Sequence, residues 1–280
     1  MLRQRIITAL VLLAVLLPAV FSALTWPFAI LSLLMIGAAG WEWGRLNGLS
    51  QMPALGVGFL LALAGLVAWW LGWVGRAPSA LWLMAAVLWL AGGAVTLHGG
   101  VQQWPRWPHL ARLLGGLLAL WLAWLAIMAA KSLGLNFLLS VLCLVWMADV
   151  AAYFGGRQFG RRKLAPSISP GKSWAGVYSG IVGVVILAGF WMWLDSRFQV
   201  DSQSIFSAVF QRTGPLGLLV AVLLLCAMSV VGDLVESLVK RCAGAKDSSQ
   251  LLPGHGGVLD RIDALIPVFP LALAIYQLLA

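Results

Sequence analysis

Nine mostly apolar stretches of about 17–25 residues follow one another along this chain, near 6–24, 26–43, 54–73, 79–97, 113–130, 135–156, 174–194, 214–239 and 262–280. Each is long enough to cross the roughly 30 Å hydrocarbon core of a bilayer as a helix. Lipid offers no partner to a backbone amide or carbonyl, so segments of this kind must satisfy their hydrogen bonds internally. That constraint predicts an all-α, polytopic membrane protein of about nine transmembrane helices. The composition agrees, with 62% hydrophobic and 10% charged residues against an apolar share of about 45–50% in soluble domains. Trp26, Trp41, Trp43, Trp73, Trp104, Trp107 and Trp174 fall near the ends of runs and are expected at the interfaces. Trp89, Trp121 and Trp146 lie inside runs and are expected to pack.

The first run follows Arg3 and Arg5, a pattern shared with signal peptides. The eight further runs make an uncleaved first span the expectation. Cys143, Cys226 and Cys242 have no short spacing between them, which predicts neither a disulfide framework nor a zinc site.

The formal charge of +9 raises nucleic acid as a partner, and the placement of the charges argues against it. With nine spans, the N-terminus and every second connection lie on one face. That face carries fourteen of the eighteen Lys and Arg residues, leaving Arg76, Lys131, Arg197 and Arg212 on the other. Such a bias predicts that the basic face is cytoplasmic. It also brings the 157–173 and 240–261 loops to the same side, where two distant loops can build one site.

Acidic residues are scarce. Asp195 and Asp201 read as solvated charges in an outer loop. Asp149, Asp233 and Glu236 sit within or near the ends of apolar runs, where a carboxylate is costly unless it has a partner or a task. On a helix Asp233, Glu236, Ser237 and Lys240 share one face. Asp260 and Asp263 are three apart at the start of the ninth run, and Asp149 and Tyr153 four apart near the end of the sixth. Acidic helix ends without a His or Cys cluster suit a divalent cation of the magnesium type, held by a few carboxylates plus substrate phosphates.

Between these stripes runs Pro253-Gly254-His255-Gly256-Gly257, in which unhindered amides can form a nest for an anion. His255, Lys246, Arg261 and Lys240 flank it. The other loop reads GGRQFGRRKLAPSISPGKSWAG from Gly155 to Gly176. Its Gly-Lys-Ser is not a phosphate-binding P-loop, because position 166 is proline where that motif needs glycine. Ser169, Lys172 and Ser173 at the opening of a helix still suit an anionic group.

The string Ser237-Leu238-Val239-Lys240-Arg241, then Lys246-Asp247, then Pro253-x-His255-Gly256-Gly257, then Asp260-Arg261-Ile262-Asp263 resembles the signature of the phosphatidate cytidylyltransferases, the CDP-diacylglycerol synthase family. No position departs from that signature across the stretch from Ser237 to Asp263. The resemblance extends to Gly232-Asp233, to Asp149 with Tyr153, and to Ser169-Pro170-Gly171-Lys172-Ser173. There the family usually has Thr and Glu where this chain has Ser173 and Ala175. It covers the C-terminal half. Residues 131–280 are therefore expected to form a catalytic region, and 1–130 an anchoring region able to supply oligomer contacts.

The resemblance implies transfer of CMP from CTP to phosphatidic acid in the inner membrane by a magnesium-dependent enzyme. A homodimer and a second, monovalent ion such as potassium belong to the same implication. Carried onto this sequence, Asp233, Lys240, Asp260 and Asp263 are the expected catalytic residues. Asp233, Asp260 and Asp263 are the expected metal ligands, with Asp149 and Glu236 as further candidates. Ser169, Lys172, Ser173, Ser237, Arg241, Lys246, His255, Gly256, Gly257 and Arg261 are the expected substrate contacts. A CTP-dependent lipid kinase is the nearest enzymatic rival. A transporter is the rival from another class, but its site is expected near the bilayer midplane in related halves, and the charges here gather at one edge.

Overall fold

The computed structural model describes residues 2–279, and for residues 2–5 the backbone alone. The side chains of Arg3 and Arg5, which weigh in the charge asymmetry, and Ala280 at the end of the ninth run lie outside what it describes. The apolar runs form helices α1 (Leu2–Phe21), α2 (Thr25–Leu46), α3 (Gln51–Trp70), the short α4 (Trp73–Arg76), α5 (Ser79–Gln103), α6 (His109–Leu133) and α7 (Leu135–Phe159). They continue with α8 (Trp174–Arg197), α9 (Ile205–Cys242), the short α10 (Leu259–Ile262) and α11 (Leu265–Leu278).

Among the described residues, seven helices are long and apolar enough to cross a membrane: α2, α3, α5, α6, α7, α8 and α9. The chain is thus a multi-pass, helical membrane protein. Of the two outer runs, the last forms a helix shorter than that. The apolar part of α1 covers Ile6–Phe21, and α11 has 14 residues, about 21 Å at 1.5 Å per residue. From Leu265 to Ala274 every residue of α11 is buried, packed against α5, α6, α7 and α9. Its apolarity reflects a protein core around it as much as lipid. Helix α9 breaks at Gly214, where φ is +70°, and Pro215 opens the second part. The run expected from 214 therefore begins where the helix restarts.

Small residues set the closest helix contacts. Gly180 on α8 leaves room for the carbonyl of Ala148 on α7, where an added methyl would come within 3.0 Å. Gly58 on α3 lies so close to the carbonyl of Gly37 on α2 that any side chain would collide. These contacts lock α7 to α8 and α2 to α3.

Three local expectations change. The 157–173 loop contains a two-stranded antiparallel hairpin, β1 (Lys163–Ala165) and β2 (Ser169–Ser173), turned through Pro166-Ser167-Ile168 with Ile168 buried. The fold is therefore helical with one small ribbon. Asp195 and Asp201 are not simply solvated. Asp201 accepts from the amides of Leu135 and Asn136 at 2.5 and 2.9 Å, capping α7 from another loop. Asp195 accepts from the Asn136 amide group and from the hydroxyls of Ser204 and Ser207. A helix start leaves backbone N–H groups without partners, and the Asp201 carboxylate answers two of them, while Asp195 ties side chains at the starts of α7 and α9 together. Trp43 and Trp104 are buried, and the Trp43 indole donates to the carbonyl of Leu113 at 3.1 Å, whereas Trp146 is 46% exposed. Position along a run does not tell which way a ring faces.

Candidate active site

Helices α7, α8 and α9 and the hairpin enclose a cavity of about 700 Å³, within the usual size for a small-molecule site. Each wall brings polar groups for a local reason. The last turns of α7 contribute Asp149, Tyr153 and Arg157, one helical turn apart. The hairpin contributes Lys163, Ser169 and Lys172. Ser173 ends β2 and caps α8, its hydroxyl accepting from the Gly176 amide at 3.2 Å. That leaves the hydroxyl hydrogen available to an anion. Asp233 enters from α9.

The Lys172 ammonium meets the Asp233 carboxylate at 2.5 Å, joining the hairpin to α9. The other Asp233 oxygen accepts from Ser237 at 3.2 Å, one turn along. Arg241 reaches across to the carbonyl of Ile168 at 3.3 Å. The 157–173 and 240–261 segments therefore do meet, as the charge partition predicted.

Beside the cavity lies a buried charge cluster. The Lys240 ammonium sits 2.5 Å from Glu236 Oε2 and 2.5 Å from Asp260 Oδ1, with side-chain exposures of 13%, 4% and 5% respectively. The second Asp260 oxygen accepts from the Ser248 amide (2.9 Å), the Ser248 hydroxyl (2.8 Å) and the Gly257 amide (2.7 Å). Burial alone would raise the Asp260 pKa. The side chains of Glu236 and Lys240 and the amides of Gly257 and Ser248 outweigh it and hold the carboxyl at about 2. Asp263 accepts from the Ala264 amide at 2.7 Å and lies within electrostatic reach of Asp233, as does Asp149.

Of the expected residues, Asp149, Ser169, Lys172, Ser173 and Asp233 line the cavity. Glu236, Lys240 and Asp260 form the adjoining cluster, and Asp260 is fully engaged within the protein. Among the described residues, no three carboxylate, His or Cys side chains are gathered closely enough to hold a metal ion as they stand. Arg241, Lys246 and Arg261 are exposed. Lys246 lines a separate polar cleft with Arg45, and Arg261 donates to the His255 carbonyl at 2.7 Å.

The Gly-rich loop differs most from expectation. Gly254 and Gly256 take positive φ, +76° and +83°, which turns the chain sharply. The amides that follow point inward rather than to the cavity. Gly257 N–H goes to Asp260, and those of Val258 and Leu259 go to Glu42 at 3.0 and 2.7 Å. The nest is real, and the anion in it is the side chain of Glu42. The signal for it in the sequence is the lone carboxylate of the second apolar run. Arg157 and Lys163 also line the cavity, although in the sequence they stand out only as part of the basic face.

A sequence model of the Cytidylyltransferase family matches residues 3–279. The chain is 40% identical over 277 residues to a protein of Pseudomonas aeruginosa, covering 96% of each. It is 38% identical over 292 residues to one of Haemophilus influenzae, again covering 96% of each. A third relative, from Bacillus subtilis, is 40% identical over 148 residues, which are 52% of this chain and 48% of that one. All three are named phosphatidate cytidylyltransferase.

Proposed function

The chain belongs to the cytidylyltransferase family, and from that premise we propose that it transfers the CMP moiety of CTP to phosphatidic acid, giving CDP-diacylglycerol and pyrophosphate in phospholipid biosynthesis. The observation that carries the reading is the Lys172–Asp233 pair, set between the basic hairpin and the acidic end of α9 in a cavity of nucleotide size. Two polyanions must be brought together there, and a phosphate monoester needs no further activation to be a nucleophile. Charge neutralisation and alignment are what the site has to supply.

An ionised phosphate oxygen of phosphatidic acid attacks the α-phosphorus in line. The new P–O bond forms as the bond from that phosphorus to the bridging oxygen breaks, and pyrophosphate leaves with the electron pair. Arg157, Lys163 and Lys172 offset the charge of the two substrates. Ser169 and Ser173 offer hydroxyl donors beside the N-terminus of α8, where the helix dipole favours an anion.

Magnesium suits the donor set, because Asp149 and Asp233 present hard oxygen ligands to the cavity with Asp263 near Asp233. Asp233 would hold it with Asp149 or Asp263. Asp260 and Glu236 would join only by releasing Lys240. When bound, magnesium would neutralise triphosphate oxygens and stabilise the leaving group. The reading further includes a second, monovalent ion such as potassium, nine crossings with α1 and α11 as the outer two, the inner membrane, cytoplasmic placement of the N-terminus and both site loops, and a homodimer.

CTP labelled in its nucleoside part, phosphatidic acid and magnesium supplied to the detergent-solubilised protein should yield labelled lipid and pyrophosphate in equal amounts. Asp233→Asn should abolish both. Release of CDP with no label in lipid would replace the transferase reading with a kinase.

A further inference from the structure

We propose that Glu42, far from the signature in sequence, is a positioning residue for the catalytic loop, acting through the 248–259 segment on Asp260. Glu42 lies in the last turns of α2 and is 0% exposed. A carboxylate removed from water in this way is tolerated only if donors replace its hydration. Four do, all from one loop more than 200 residues away. Glu42 Oε1 accepts from the Ser249 hydroxyl at 2.5 Å and the Val258 amide at 3.0 Å. Oε2 accepts from the Ser248 hydroxyl at 3.2 Å and the Leu259 amide at 2.7 Å.

The loop is thus wrapped around two carboxylates at once. Ser248 stands between them, its single hydroxyl hydrogen shared between Glu42 and Asp260. Gly257 passes so close to Glu42 and Ser248 that a side chain there would collide with both. Asp260 in turn holds Lys240, on the same face of α9 as Asp233. The chain of contacts runs from α2, through the loop, to the polar face of the site. α2 is itself fixed by its glycine contacts with α3, so the anchor is a rigid one. No Glu42 atom lines the cavity, which separates positioning from substrate contact.

The inference rests on the cytidylyl-transfer reading for its catalytic consequence, and its test has one arm that does not. Glu42→Gln keeps the shape but puts an amide group against a backbone N–H, losing two acceptor contacts. Hydrogen exchange of the intact solubilised protein should accelerate at least about tenfold at the amides of Ser248, Gly257, Val258 and Leu259, with the transmembrane helices unchanged. Turnover per folded molecule should fall at least about tenfold while KM for CTP stays within about twofold. Ser249→Ala, which removes one donor from the other side, should show a smaller change in the same direction on both measures. It keeps the test open should Glu42→Gln fail to fold.

Exchange that is unchanged, or raised equally across the whole protein, overturns the inference. Turnover equal to wild type does so as well. A wild type that forms no CDP-diacylglycerol overturns the reading of the reaction instead, and the exchange arm still judges the contact.

Discussion

Replacing Lys240 by Met removes the one cation from between two buried carboxylates while keeping most of the side-chain stem. Lys240 lies 2.5 Å from both Glu236 and Asp260, and neither carboxylate side chain is more than 5% exposed. An exposed pair would contribute at most about 1 kcal/mol. Breaking a buried one leaves uncompensated charge and costs about 3–5 kcal/mol, roughly two to three and a half orders of magnitude in the folding ratio. Thermal unfolding in detergent, followed by tryptophan fluorescence, measures the loss against Lys246→Met, an exposed lysine of the same signature. Lys240→Met should unfold at a much lower temperature than that control. The gap should narrow as the pH falls, because Asp260 without its cation can take up a proton. A Lys240→Met protein that melts with the control would refute the claim that this lysine holds the cluster together.

Gly257→Ala should cut turnover at least about a hundredfold with substrate KM little changed, because the added methyl collides with Glu42 and Ser248; kinetics on folded protein checks it. Asp195→Ala strips donors on α7 and α9 of their acceptor and should destabilise by about 2–4 kcal/mol, with turnover per folded molecule unchanged. Asp260, held at about 2, lies below its unfolded value, so its contribution of about 2 kcal/mol is complete above about pH 4. It is lost as pH falls through about 2, which an acid titration of the wild type against Asp260→Asn will show as converging stabilities.

Among the described residues, seven of the nine expected spans are legible as membrane-length helices because lipid leaves a helical chain few options, and the placing of two distant loops on one side follows from the charge partition. In the cavity wall, Asp149 and Asp233 are legible from the cost of a carboxylate in apolar surroundings, and Ser169, Lys172 and Ser173 from donors set at the opening of a helix. The direction of the loop amides is not. The same Pro-Gly-x-Gly-Gly string can cradle a substrate phosphate or the protein's own carboxylate, and only the approach of α2 decides between them. Asp195, in the last turn of α8, and Asp201, in the loop beyond it, escape the sequence for a similar reason: a carboxylate near a helix end looks solvated until the donors from another segment are placed beside it. The length of α11 shows the limit of hydropathy, since a core helix enclosed by other helices and a lipid-facing span are equally apolar.

That enclosure also bears on the order of assembly. Helices α5, α6, α7 and α9, which wall α11, all precede it in the chain, so the walls of its socket are synthesised before its occupant. These helices can enter the bilayer one after another, yet until α11 docks their inner faces lack the ten consecutive residues they bury. This part of the core is then closed in one late step, when α11 docks, rather than growing steadily with each span inserted.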